Sequence, residues 1–185
     1  MRVAVLTALA TLAGCATVET APVATTPADP AQDIAALLVE TEAAYREGQT
    51  ETLGTKLAEL GALGVKPIDD TGEATLAEWS ARATLSPHAW RGRVLGPGFL
   101  TGTLPARGTR TIEQTFLSGR KAAVAVQSPD GRPVGIRITD DDDEPLCKQE
   151  AEKVSCRWVP LYTHRHRIEI YNPGRENVRF YLVID

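Results

Sequence analysis

The sequence contains none of the usual catalytic signatures. G-x-S-x-G, H-E-x-x-H and a phosphate-binding glycine loop are all missing. The nucleophile elbows, zinc-binding helices and phosphate cradles that such motifs build are therefore not the reading. Neither Ser118 nor Ser128 has a sequence neighbour that suggests an activating base. There is no internal repeat. A net charge of −4 excludes a broad nucleic-acid footprint, so nucleic acid is not an expected partner. Cysteines are scarce, at three, and so are histidines, also three, which limits any transition-metal centre to few ligand sets.

What is present starts with the first fifteen residues, MRVAVLTALATLAGC. Arg2 gives a basic start, and Val3 to Ala13 is an apolar run too short for a permanent bilayer span but suited to a signal-peptide core. Leu12-Ala13-Gly14-Cys15 resembles the bacterial lipoprotein cleavage box: small residues let a peptidase reach the bond, and the thiol takes the lipid. The expected division is a signal peptide over 1–14, then a lipidated Cys15 with a flexible Pro/Ala/Thr tether over 15–31. Each buried acyl CH₂ adds about 0.8 kcal/mol to anchoring. Ala16, not Asp, follows the cysteine. By resemblance to Gram-negative lipoproteins this implies the outer membrane, with the folded part in the periplasm and the lipid anchor as the membrane contact.

With 43% hydrophobic residues in 185, the chain can bury one modest core. Residues 32–84 read as a helical segment. Ile34, Leu37, Leu38, Thr41 and Tyr45 share one helical face, Leu53, Leu57, Leu60 and Leu63 a second, and Gly48 separates the two into a hairpin. Glu73–Ala83 reads as a third short helix, with Leu76 and Trp79 inward. Such stripes suit docking onto the rest of the chain. Over 90–185 the period changes to two. Thr111–Leu117 alternates, and Lys121–Gln127 is apolar on both faces, as a central strand requires. Pro129-Asp130-Gly131 and Asn172-Pro173-Gly174 mark turns. Val134, Ile136 and Ile138 share a face, as do Val154, Cys156 and Trp158, then Ile168 and Ile170, then the closing run Val178–Ile184. With one or two strands inside 91–104, about eight short strands predict a mainly β fold, an antiparallel β-sandwich or jelly roll preceded by a short helical hairpin.

The later strands carry a pattern: Ile138-Thr139-Asp140; Cys147 and Cys156-Arg157-Trp158-Val159-Pro160; Arg167-Ile168-Glu169-Ile170-Tyr171-Asn172-Pro173-Gly174; and Phe180-Tyr181-Leu182. This pattern resembles the bacterial pre-peptidase C-terminal domain, a small β-sandwich appended to secreted proteases. The resemblance covers roughly half the chain, from about residue 91 to 185. It implies a sandwich similar to carbohydrate- and collagen-binding modules, without catalysis of its own. The usual host enzyme has no counterpart here, where a helical hairpin and an anchor take its place.

Candidate sites gather in DDDDEPLCKQEAEKVSCRW, residues 140–158. Calcium, zinc or a stapled loop are the three readings. Asp140, Asp141, Asp143 and Glu144 form part of an unbroken acidic run whose repulsion a calcium ion would relieve, although the D-x-D-x-D-G spacing is absent. The bland alternative is a solvated loop that blunts a sheet edge. Cys147 and Cys156 remain as a pair once Cys15 is lipidated, and in an oxidising compartment they read as a disulfide across a hairpin or loop. Zinc would need His164 and His166 as further ligands. The histidine pair reads otherwise as packed, with His166 toward the core. Arg165 and Arg167 share the opposite face, which reads first as a solvated face and otherwise as one that meets an anionic glycan or a lipid headgroup. Arg91, Arg93, Arg175 and Arg179 add to a locally basic C-terminal half.

These features lead to the expectation of a non-catalytic cell-envelope lipoprotein, a binding or accessory module for a periplasmic or surface protein or polysaccharide. No cofactor beyond calcium is expected. The alternatives are a hydrolase of envelope polymers with a site assembled in space, and a structural or assembly factor. The anchor is directly testable. Cys15→Ser is expected to leave an unprocessed or soluble periplasmic form on membrane fractionation, and continued lipid-mediated fractionation of that variant would refute the assignment.

Overall fold

The computed structural model describes residues 29–84 and 96–185. The signal peptide, Cys15, most of the tether, and Arg91 and Arg93 lie outside the described residues.

Three helices come first. Helix α1, Pro30–Arg46, starts where the Asp29 side chain accepts the Gln32 N–H at 3.3 Å, with Pro30 in the first turn. It ends before Gly48, whose φ of +70° is the left-handed geometry that glycine adopts without penalty. Helix α2 is Thr50–Ala62. A two-residue strand β1, Lys66–Pro67, leads into helix α3, Asp70–Arg82. Asp69 caps α3 by accepting the Gly72 N–H at 2.8 Å, and its other oxygen takes Arg110 at 2.7 Å. Burial pushes the Asp69 carboxyl up, but the Gly72, Thr71 and Arg110 hydrogen bonds outweigh it and hold the group below its usual value.

Eight strands follow: β2 Gly98–Leu104, β3 Thr109–Phe116, β4 Ala122–Gln127, β5 Val134–Thr139, β6 Pro145–Ala151, β7 Lys153–Trp158, β8 His164–Tyr171 and β9 Val178–Ile184. They form a five-stranded sheet in the order β1-β2-β9-β4-β7 and a four-stranded sheet in the order β3-β8-β5-β6. Every pairing is antiparallel except the short parallel contact of β1 with β2.

The molecule has three layers. Between the sheets, Val124, Val126, Ile136, Ile138, Ile168, Ile170, Phe180 and Leu182 form one core. Behind the five-stranded sheet, the alternate residues Ala123, Ala125, Tyr181 and Val183 meet Ile34, Leu38, Leu57 and Trp79 of the helices in a second. This explains why β4 is apolar on both faces: it is buried on both. The fold is thus mainly β, two antiparallel sheets with a short helical part before them.

Some expectations change in detail. Leu63 lies past the end of α2 and is 48% exposed, while Leu53, Leu57 and Leu60 are buried. Strand β6 is an addition to the expected strands, because its Lys148, Gln149 and Glu150 carry no apolar alternation. It is an edge strand and exposed along most of its length. Its placement alters the meaning of the cysteine pair. Cys147 on β6 and Cys156 on β7 are disulfide-bonded, with Cα atoms 6.1 Å apart. However, β6 and β7 belong to different sheets, the chain crossing from one to the other at Glu152. The bond therefore does not staple a hairpin. It clamps the two sheets together along one open edge of the sandwich.

Removing the clamp by Cys147→Ala with Cys156→Ala is expected to lower unfolding free energy by about 2–4 kcal/mol, from lost chain constraint and a cavity beside Val154. Chemical denaturation of both proteins checks this, and an unchanged midpoint would show that the edge holds without it.

Candidate functional site

Helices cover one outer face of the sandwich, and no helix among the described residues covers the outer face of the four-stranded sheet. Strand register decides which side chains stand there. Glu113 lies opposite Arg167, which lies opposite Thr139; Thr111 lies opposite Glu169, which lies opposite Arg137 and then Lys148. The result is a set of charged rows across four strands. Arg137 donates to Glu169 at 2.9 Å, Arg165 to Glu113 at 3.0 Å and Arg167 to Asp143 at 2.5 Å. At one end Tyr171 donates to Glu150 at 3.4 Å. Its ring lies over Gly135, where any Cβ would collide with it. Burial, then the neighbouring Glu150, raises the Tyr171 pKa.

Beside the β5–β6 turn is a hollow of about 350 Å³ lined by Arg137, Thr139, Asp143, Pro145, Arg167 and Glu169. The Thr139 hydroxyl at its base is buried and has no hydrogen-bond partner within the protein. That oxygen is closed to solvent, so the groups offered to a ligand are the charged side chains around it. Two planar guanidiniums and two carboxylates around the hollow can bind hydroxyl-rich or anionic groups in paired hydrogen bonds.

The acidic run forms the turn between β5 and β6. The Asp140 carboxylate accepts the Asp142 N–H at 3.0 Å and the Glu144 N–H at 2.9 Å, capping its own turn. Asp143 sits at φ +61°, which aspartate tolerates, and pairs with Arg167. Asp141, Asp142 and Glu144 point to solvent. Among the described residues no group of three or more His, Cys, Asp or Glu side chains is disposed to hold a metal ion.

The histidines are packed against aromatics. His166 is 1% exposed, and its ring meets Phe116 edge-on at 5.2 Å and Trp158 at 5.5 Å. The Trp158 indole N–H donates to His166 Nε2 at 3.3 Å. An indole nitrogen only donates, so Nε2 must be unprotonated, and Nδ1–H donates to the His164 carbonyl at 3.2 Å. The cysteines that zinc would need are occupied by each other. The hydroxyls of Ser118 and Ser128 serve loops: Ser118 donates to the Leu161 carbonyl at 2.6 Å, and Ser128 accepts the Asp130 N–H at 3.3 Å.

A further polar group escaped the sequence reading. Glu42, 6% exposed, lies between α1 and β9. It accepts the Tyr181 hydroxyl at 3.0 Å and pairs with Arg179, which also holds Asp130 at 2.6 Å. Burial, then Glu42, raises the Tyr181 pKa, while the Arg179 hydrogen bond holds Asp130 below its usual range. The signal was available: Glu42 follows Ile34 and Leu38 at helical spacing on the apolar stripe. A carboxylate there implies a buried partner, and Arg179 is that partner across 137 residues.

No family model matches the chain, and no curated protein does. Solved structures are similar to it over about half its length. The pre-peptidase C-terminal domain of collagenase from Bacillus anthracis shares 10% identity, covering 47% of this chain and 87% of that one, with a TM-score of 0.42. The Yersinia pseudotuberculosis-derived mitogen shares 14%, covering 48% and 84%, with a TM-score of 0.42. The periplasmic inhibitor of g-type lysozyme from Aeromonas hydrophila shares 12%, covering 48% and 84%, with a TM-score of 0.41. These likenesses assign no function.

The buried histidine gives a pH test. Burial, opposed in part by the His164 carbonyl, lowers the His166 pKa below its usual 6.5. Between the lowered value and 6.5 the unfolded chain binds more protons than the folded one, so stability is lost as pH falls from about 6.5. Asp69 and Asp130 act only below 3.8, in a separate window. His166→Gln keeps an acceptor for Trp158 and does not titrate. It is expected to flatten the decline in melting temperature below pH 6.5, and an unchanged slope would place the effect elsewhere.

Proposed function

We propose that the protein is a non-catalytic, lipid-anchored binding module of the cell envelope that takes hydroxyl-rich, anionic polysaccharide on the open face of its four-stranded sheet. The observation that carries this reading is the hollow between Arg137 and Arg167, with the Asp143 and Glu169 carboxylates beside them. Guanidinium groups recognise carboxylate and phosphate groups in paired geometry, and Glu169 and Asp143 are placed to accept sugar hydroxyls. Each arginine is already ion-paired, so a ligand shares or displaces those pairs, and affinity per site is modest. Modest affinity suits a module held by a lipid near a polymer that offers many repeats.

Support for the envelope placement comes from the chain's start: the apolar run Val3–Ala13, the box ending at Cys15 and the tether after it. A tether of that length spans up to about 45 Å when extended, enough to lift the sandwich off a membrane surface.

The test is calorimetric titration of the protein with soluble peptidoglycan fragments and with an acidic polysaccharide, neutral dextran serving as control. Binding to a charged polymer is expected, and Arg137→Ala or Arg167→Ala should weaken it by about tenfold or more, the worth of one charge-assisted contact. Binding that both variants retain in full would move the site off this face, and no binding to any polymer would leave the polysaccharide reading without support.

A further inference from the structure

One end of the sandwich presents a set of apolar side chains that no described part of the chain covers. Leu161 is 81% exposed and Tyr162 74%, and Leu117 and Val159 beside them are each more than half exposed. They belong to two loops, residues 117–121 between β3 and β4 and residues 159–163 between β7 and β8. Loop mobility does not explain the exposure, because the loops are tied to each other. Ser118 N–H donates to Thr163 Oγ1 at 2.9 Å, Ser118 Oγ–H to the Leu161 carbonyl at 2.6 Å, and Gly119 N–H to the Pro160 carbonyl at 2.9 Å. Beneath them Phe116, Trp158 and His166 pack as one aromatic cluster. A preformed apolar ridge containing a tyrosine is the usual anatomy of a protein contact.

The charges around the ridge identify the partner. Strand order β3-β8-β5-β6 sets three loops side by side at this end. The β3 exit carries Arg120 and Lys121, the ridge loop into β8 stands in the middle, and the β5–β6 turn carries Asp141, Asp142 and Glu144 on the other side. None of these five charged side chains has an ion-pair partner among the described residues. Asp185 lies near Lys121 and reduces the positive flank without reversing it. A ridge with cations on one side and anions on the other is complementary to itself under a two-fold axis. Rotation about that axis lays ridge on ridge and sets the acidic turn of each copy against Arg120 and Lys121 of the other. An anionic membrane surface fits less well, because it would repel the acidic turn at the same end.

We infer that the occupant of this ridge is a second copy of the chain, in an isologous, end-to-end dimer with Leu161 and Tyr162 near its axis. The contact is small compared with a standard interface of about 800 Å² per partner, so the dimer is weak in dilute solution and is promoted by crowding on a shared surface.

Site-directed cross-linking of the full chain in its own membranes tests this directly. Residues near a two-fold axis meet their own copies, so Leu161→Cys should give a disulfide-linked homodimer on a non-reducing gel. Thr103→Cys, exposed near the opposite end, and the parent chain should give only background. Arg120→Glu with Lys121→Glu in the Leu161→Cys chain should cut the dimer several-fold. Adding Asp141→Lys with Asp142→Lys to that same chain should restore it, which a fold defect would not do. Dimer yield at position 161 no higher than at 103 would overturn the inference. So would a cross-link to a different protein, or a yield indifferent to the charge exchange.

Discussion

Covering the five-stranded sheet on both faces is the constraint from which the rest of the structure follows. Its inner strands, β4 and β9, carry apolar residues at successive positions, so neither face can be left to water. The four-stranded sheet covers one side with Ile136, Ile138, Ile168 and Ile170. The helices cover the other with Ile34, Leu38, Leu57 and Trp79. The helical segment and the sandwich therefore share a core. Burying a large aliphatic side chain contributes about 1.5–3 kcal/mol, and both faces of β4 draw on that term.

A sandwich covered this way still has open edges and ends, and the structure closes them by different means. At the β6–β7 edge a disulfide joins the sheets where the chain crosses between them. At one end Phe116, Trp158 and His166 fill the space with rings, the histidine neutral so that its Nε2 accepts a hydrogen bond from the indole N–H. At the helix interface, Glu42, Arg179, Asp130 and Tyr181 satisfy one another where purely apolar packing would leave the register of α1 on β9 loosely specified.

The chemistry that remains available lies where these closures leave side chains exposed. The outer face of the four-stranded sheet faces no helix among the described residues, and alternation puts arginines and glutamates there as surely as it puts isoleucines inside. The two proposed surfaces differ in kind. The sheet face is charged, with a hollow suited to polar ligands, and the loop end is an apolar ridge flanked by opposite charges. A module with one surface for a polymer and another for its own copy would bind that polymer through two sites at once.

Periodicity alone determined the element types, because an amphipathic helix and a buried strand differ in repeat length. Ile34 to Tyr45, Leu53 to Leu60, the two-sided run at Lys121–Gln127 and the closing Val178–Ile184 were all legible in this way. So was the cysteine pair as a pair. Edge strand β6 was not, since a strand exposed on most of its length has no apolar repeat to read. Only tertiary structure decided that Cys147 and Cys156 lie on different sheets, because sheet membership is set by long-range pairing and not by the nine-residue separation. It also decided that Arg137, Thr139, Arg167 and Glu169 share one hollow: Arg167 and Glus such as Glu169 are separated from β5 by some thirty residues of chain, and antiparallel register alone brings them opposite. Sequence sets what each segment must bury, whereas which exposed residues become neighbours depends on how the buried faces are satisfied.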